Sequence, residues 1–307
     1  MPMPSLLEGR LSLPAIAAPL FIISQPDLVI AQCRAGVVGA FPSLNARPLN
    51  VLEQWLERLT GELTSADAPF AVNLIVHKTN ERLQDDLALV VKYKVPIVIT
   101  SLGAREEVNA AIHSYGGIVF HDVIDDRFAR KAVEKGADGL IAVAAGAGGH
   151  AGTLSPFALV QEIRRWFDGP LALSGAIAAA RAMGADLGYI GSAFIATREA
   201  AADPEYKQML VDCAARDIVY SNLFTGVHGN YLRPSITRAG MDPDNLPESD
   251  PSKMNFAELS DGKTAWRDIW GCGQGIGAID EVVPVADLVG RLRREYDAAR
   301  ARLAERF

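Results

Sequence analysis

Short apolar runs punctuate the first two thirds of the chain, at 15–18, 37–41, 70–76, 96–100, 118–120, 139–144, 171–173 and 187–190. They are rich in Val, Ile, Leu and Ala and lack a period of two, so they read as parallel strands buried on both faces. Between them, 26–35, 49–64, 80–93, 106–115, 126–135 and 156–167 read as amphipathic helices. Gly116 and Gly136 follow two of these helices, where a C-terminus favours a left-handed residue. Ser155-Pro156 has the N-cap and first-position chemistry of a helix start. Eight strands with intervening helices in about 190 residues predict a (β/α)8 TIM barrel. A doubly wound sheet is the alternative. It usually has fewer strands and a glycine-rich first turn, which Pro19-Leu20-Phe21 is not.

One unit is short. Between Ile177 and Ala185 there is too little chain for a crossover, which takes about 10–12 residues or more. The spacing favours a segment missing near Ala178 over a barrel that has lost two helical turns. From residue 200 the rhythm breaks: 203–217 reads as a helix and 217–233 mixes aromatics with glycine. The stretch 240–264 is rich in Pro, Asp, Ser and Asn, as an ordered loop or lid is. After a glycine-rich turn at 272–279, residues 285–302 form a charged amphipathic pattern with Leu288, Val289, Leu292 and Tyr296 on one stripe. The expected organisation is a barrel over 1–199, an insertion or lid after strand eight over 200–283, covering the substrate, and a C-terminal helix over 284–307 that returns to the barrel wall.

Composition narrows the class. With 49% hydrophobic and 22% charged residues among 307, the chain is not disordered. A net charge of -7 argues against a nucleic-acid partner, though backbone amides can still bind a small anion. Cys33, Cys213 and Cys272 lie far apart and form no CxxC pair, so they read as reduced thiols in a cytoplasmic protein. Every apolar run is far shorter than the ~20 residues of a membrane helix, so no membrane partner is expected. No HxH, HExxH or GxSxG pattern occurs, and no metal site is expected.

In such a barrel the working residues sit at the C-terminal ends of the strands. Strand six runs into Gly146-Ala147-Gly148-Gly149-His150-Ala151-Gly152, where glycines let the backbone approach a planar ligand. His150, inside that loop, can serve as a base near neutral pH; a tight turn with a solvated histidine is the alternative. Gly175 and Gly191-Ser192 close strands seven and eight, the usual place of a barrel phosphate site, although simple turn glycines explain them too. Asn73, within an apolar strand, suits the edge of a flavin or pyrimidine ring or an internal hydrogen bond. His121 is a further candidate at the barrel mouth, whereas His77 and His113 read as surface residues. With no metal or activated nucleophile in sight, an organic cofactor must supply the chemistry, and FMN satisfies these features.

Taken together, IAAPLF at 16–21, FAVNL at 70–74, AGAGGHAG at 145–152, LSGAI at 173–177 and GADLGYIGSAFIAT at 184–197 resemble the nitronate monooxygenase family, formerly called 2-nitropropane dioxygenase. The resemblance spans about 16–233, with a looser echo at 270–279. It implies an FMN-bound TIM barrel that oxidises alkyl nitronates, and some nitroalkanes, with O2 to carbonyl compounds and nitrite. It further implies that Ala18, Pro19 and Leu20 lie along the flavin, that Asn73 bonds its ring, and that Gly148 and Gly149 pass close to it. Gly175, Gly191 and Ser192 would bind its phosphate, and His150 would be the catalytic base. His121, Phe224, His228 and Tyr231 are expected at the substrate pocket, and the reading allows a homodimer.

Three departures stand out. Leu20 replaces a common methionine, Asp122 stands where some relatives place a lysine, and the short strand-seven unit removes residues near the phosphate. A true deletion there would weaken FMN binding. Two rival readings use the same barrel: an FMN-dependent NAD(P)H:quinone or enoyl-thioester reductase, and a barrel without cofactor that binds a phosphorylated ligand or a protein partner.

Overall fold

In the computed structural model, residues 3–249 and 268–305 are described. Eight parallel strands form the barrel: β1 (Ala15–Ala17), β2 (Gly39–Pro42), β3 (Phe70–Ile75), β4 (Ile97–Ser101), β5 (Ile118–Val123), β6 (Gly139–Ala142), β8 (Leu171–Ser174) and β9 (Leu187–Ile190). A two-residue strand, β7 (Gly149–His150), lies outside the barrel sheet. The sheet order is β1-β9-β8-β6-β5-β4-β3-β2, and a parallel bridge from Ile16 to Val38 joins its two ends. All eight apolar runs of the sequence thus become barrel strands.

The helices follow the same rhythm: α1 (Pro26–Arg34), α2 (Leu49–Glu62), α3 (Leu83–Lys92), α4 (Glu106–His113), α5 (Asp126–Glu134), α6 (Pro156–Arg164), α7 (Ile177–Ala182) and α8 (Ser192–Ile195). Alternate strand residues face inward, where Ile16, Ala40, Ala71, Ile97, Ile99, Phe120, Ile141, Ala172 and Leu187 fill the barrel. Leu7 joins this cluster from the N-terminal segment. The opposite strand faces pack on the helices, as Val72, Leu74 and Val98 do on Leu52, Leu56 and Val90. Burial on both faces explains why the strands lack polar alternation. Among the described residues, no helix is long and apolar enough to cross a membrane.

The expectation of a segment missing near Ala178 is overturned. The chain runs without a break from β8 through the six residues of α7 into β9, with Ile177 and Ala180 buried. Alanine is the strongest helix former, and IAAARA makes a helix that crosses between neighbouring strands in less than two turns. The expected N-cap at Ser155 is also modified: its side chain makes no capping bond, and its carbonyl accepts from Ala158 and Leu159.

Beyond the barrel lie α9 (Pro204–Asp212), β10 (Ile218–Ser221), β11 (Gly229–Leu232), α10 (Arg233–Arg238) and a final helix, α11 (Val285–Ala304). The stretch read as one helix over 203–217 ends at Asp212, and a separate 3-10 turn covers Ala215–Asp217. Of the loop expected at 240–264, residues 250–264 lie outside the described residues. Strands β10, β11 and β7 form a second, antiparallel sheet, with Gly229 opposite His150 and Asn230 opposite Gly149. The residues after 200 are therefore tied into the strand-six loop. Their apolar side chains, including Ile276, Ile279, Val285 and Leu288, share a core with Ala15, Ala17, Phe194 and Ile195 of the barrel.

Candidate active site

A cavity of about 2140 Å³ opens at the C-terminal ends of the barrel strands. It is lined by Ala18, Pro19, Leu20, Asn73, His121, Gly148, Gly149, His150, Gly175, Gly191, Ser192, Phe224 and His228, so these sequence candidates come together. Tyr231 does not join them. It is fully buried beside Ile236 and Ile269, edge-on to Phe224 with ring centroids 4.7 Å apart. No residue of β11 lines the cavity, whereas Phe224 and His228 in the loop before it do. Tyr220 faces the cavity instead, stacked on His228 at 5.0 Å and donating to the carbonyl of Ala151 at 2.9 Å. His77 also lines the cavity, whereas His113 is exposed and pairs with Asp138 at 2.8 Å.

The loop after β1 is held by a residue the sequence did not single out. Asn45 donates to the carbonyls of Leu20 (2.9 Å) and Ser24 (2.8 Å) and accepts from the amide of Ile22 (2.8 Å). Ile22 has φ 58, a conformation that a β-branched residue adopts only when its surroundings impose it. Asn45 supplies that imposition, and Ala18-Pro19-Leu20 is fixed along one wall.

On β3, Asn73 donates to the carbonyl of Ile99 (3.0 Å) and to Ser101 Oγ (2.7 Å). Both of its protons are thus used within the protein, and what it can offer a ligand is Oδ1, an acceptor. Ser101 passes its own proton to Asp122 Oδ2 at 2.6 Å. Burial pushes the Asp122 carboxyl up to about 6, a tendency that the bond from Ser101 opposes. Ser101, the first polar side chain beyond an apolar run, and Asp122 thus join Asn73 in one polar chain on the wall. His121 hydrogen-bonds through Nδ1 to Thr100 Oγ1 at 2.5 Å, and burial, with Lys131 nearby, lowers its pKa to about 4.

His150 is placed by β7, the strand that pairs with β11. Its Nε2 lies 3.0 Å from Thr225 Oγ1, and the Thr225 hydroxyl has the Val227 carbonyl 2.8 Å away. A carbonyl can only accept, so the threonine proton goes to Val227 and His150 Nε2–H donates to Thr225. That assignment makes Nδ1 the basic nitrogen. Burial lowers the His150 pKa to about 4, so the ring is neutral at pH 7 and able to take a proton.

Beside it, the backbone at Gly148 runs against residues 272–273. A Cβ there would sit 2.7 Å from the Gly273 nitrogen and 3.2 Å from Ser192 Oγ. The Gly273 amide donates to Ser192 Oγ at 2.8 Å, and Asn230 donates to the Ala147 carbonyl at 2.6 Å. Across the cavity, Trp270 stacks on Tyr206 at 4.7 Å and lies under the Arg238 guanidinium at 3.7 Å.

A flavin fits the residues present. The cavity exceeds the roughly 300–1,000 Å³ of a drug-sized ligand site. At the end of β8, the buried Ser174 Oγ has no hydrogen-bond partner among the described residues. Next to it, Gly175 has φ 127, and a Cβ on it would meet no atom within 4 Å, so its backbone is open to the cavity.

Comparison with known proteins agrees with this architecture. The family model described as nitronate monooxygenase matches residues 79–295. The chain is 28% identical to the nitronate monooxygenase of Paraburkholderia phytofirmans, with 92% of each chain covered. Its fold is similar to that of FabK from Thermotoga maritima (TM-score 0.82, 27% identity, covering 97% of this chain and 96% of that one). It is also similar to nitroalkane oxidase from Streptomyces ansochromogenes (TM-score 0.79, 25% identity, covering 97% and 99%). A barrel whose glycine loop carries a neutral histidine at its mouth, and a family match across most of its length, lead to one assignment: the chain belongs to the nitronate monooxygenase family.

Proposed function

We propose that this protein oxidises alkyl nitronates with O2, to a carbonyl compound and nitrite, with FMN bound in the barrel mouth. The observation that carries the reading is His150, neutral, anchored through Nε2 and set beside the close-approach glycines Gly148 and Gly149. When bound, the flavin would supply the redox chemistry, an acceptor for electrons of the nitronate that O2 takes in turn. Ala18, Pro19 and Leu20 would flank its ring, Asn73 Oδ1 would accept a hydrogen bond from it, and Ser174, Gly175, Gly191 and Ser192 would receive its phosphate. His150 takes the α-proton of a neutral nitroalkane at Nδ1 and so makes the nitronate within the site. Phe224, His228 and Tyr220 wall off water around the substrate, and His121, held by Thr100, lines the same cavity.

The test is an anaerobic absorbance spectrum of flavin-reconstituted protein, before and after propyl-2-nitronate and, separately, NADPH. Bleaching of the flavin band by nitronate alone is the expected result. Bleaching by NADPH alone moves the chain to the quinone or enoyl-thioester reductase reading, with the same residues around the ring. A protein that takes up no flavin moves it to the cofactor-free reading.

A further inference from the structure

The floor of the cavity continues the rows of side chains that fill the barrel. Two positions beyond Ala71, Ile99, Phe120, Ala172 and Leu187 stand Asn73, Ser101, Asp122, Ser174 and Tyr189. A period of two keeps each on the inward side of its strand, and all five line the cavity. A polar layer thus closes the apolar interior, and its hydrogen bonds run in one direction. Asn73 donates to Ser101 Oγ at 2.7 Å, and Ser101 donates to Asp122 Oδ2 at 2.6 Å. The chain ends at Asp122 Oδ1, to which the described residues offer no hydrogen bond.

No cation answers this carboxyl. Among the described residues, burial and the Ser101 hydroxyl act on it, and no charged side chain does. The neighbouring strands β4 and β6 carry no charged residue. Tyr189, on β9, is near enough that Asp122 opposes its ionisation, so it stays a neutral phenol. His121, beside Asp122 on β5, is held by Thr100. From the helices α4 and α5, which pack on β5, Lys131 acts on His121 and no group acts on Asp122. Burial alone has already moved the carboxyl toward its neutral form, up to about 6, and a carbonyl acceptor beside it moves it further. Since Oδ2 accepts from Ser101, the proton belongs on Oδ1.

We propose that Asp122 binds the cofactor as a carboxylic acid, donating from Oδ1 to a carbonyl oxygen on the pyrimidine edge of the flavin. The inference rests on the barrel mouth being the FMN site. That edge carries an N–H between two carbonyls, so its complement is an acceptor with a donor beside it. Asn73 Oδ1 is the acceptor, and Asp122, joined to Asn73 through Ser101, is the donor. Once ionised, the same oxygen would set a full charge against the carbonyl with no cation to offset it. Binding of the ring is therefore linked to one proton on Asp122, and FMN affinity falls as pH rises above about 6.

The test is calorimetric titration of the cofactor-stripped full chain with FMN, from about pH 5.5 to about pH 8, in wild type, Asp122→Asn and Asp122→Leu. Asparagine copies the neutral acid, with a carbonyl for Ser101 and an N–H for the ring. The FMN phosphate titrates in this range too, but equally in all three proteins, and His150 titrates below it, near 4. The difference between pH profiles therefore isolates Asp122. Wild type and Asp122→Asn are expected to bind alike at the acid end, and wild type to weaken about tenfold or more relative to the variant at the alkaline end. Asp122→Leu should bind about tenfold more weakly at the acid end, where the wild type carries its proton. Parallel profiles for wild type and Asp122→Asn overturn the proposal, as does wild-type binding that tightens relative to the variant as pH rises. Undiminished binding by Asp122→Leu also overturns it, and in each of these cases the flavin site stands without the acid. Absence of FMN binding by the wild type at every pH overturns the proposal and the underlying site together.

Discussion

His150 and Ser174 line one cavity, yet the chain holds their surroundings in different ways. Around His150, β7 pairs with β11, Thr225 fixes Nε2, and Asn230 ties down the Ala147 carbonyl. Around Ser174 there are two short helices, α7 and α8, and a buried hydroxyl with no partner among the described residues. On the proposed reading, the first region aims a nitrogen at a carbon, where small displacements cost rate. The second receives a charged group whose own oxygens complete the bonding. Bracing is concentrated where direction matters and relaxed where a ligand supplies the missing contacts.

The sharpest way to break this contrast is His150→Asn. Turnover of neutral nitroalkanes should fall by about 10²–10⁴-fold, the usual contribution of a positioned base, with turnover of preformed nitronates spared. Oxygen uptake with both substrate forms reads the difference, and equal loss on both would mean that His150 is not simply a base. In the wild type, protonation removes the base. Nitroalkane kcat/KM should therefore hold across neutral pH and fall as pH drops through about 4.

Gly148→Ala strikes where the two regions meet. Its Cβ would press on the Gly273 nitrogen and Ser192 Oγ, and backbone cannot swing aside. A stability loss of about 2–3 kcal/mol is expected, as for other overpacked sites, with weaker flavin binding. Chemical denaturation and flavin titration measure the two effects. Gly175→Ala is the matching test on the open side. No atom crowds the added methyl, so the φ of 127 is the whole cost, about 1 kcal/mol, at the low end for backbone strain.

Asp122→Asn gives the most informative sign. The folded carboxyl titrates near 6, above the ordinary 3.8, so between these values the folded state holds a proton that the unfolded chain has lost. The stability contributed by this group is complete below 3.8 and is lost as pH rises through 6. The variant should therefore match the wild type near pH 4 and melt a few degrees higher near pH 8. A difference in Tm that does not change with pH would mean that Asp122 is not held in this way.

The barrel is legible in the sequence because strands buried on both faces leave uninterrupted apolar runs, and 70–76 or 139–144 can hardly be anything else. The glycine loop and His150 are legible from their place at a strand end. What is not legible depends on partners far along the chain. Asn45 acts on Leu20 and Ser24 from another unit, and Ser101 matters through Asn73 and Asp122 on neighbouring strands. Tyr231 looks like a pocket residue in the sequence because aromatic and glycine composition does not reveal that the cavity wall stops at His228 and that β11 behind it is wholly buried. The short unit at 177–185 looks incomplete because six residues rich in alanine close a crossover that a typical helix would need more chain to make.

The pairing of β7 with β11 also sets an order in time. The barrel strands meet mainly through neighbours in sequence, but Asn230 and Ala147 are 83 residues apart. β11 follows all eight barrel strands in the chain. As the chain leaves the ribosome, the walls of the barrel can be complete while the histidine loop still lacks its partner strand. On the proposed reading, the oxidising site is therefore assembled only after every barrel strand has been made.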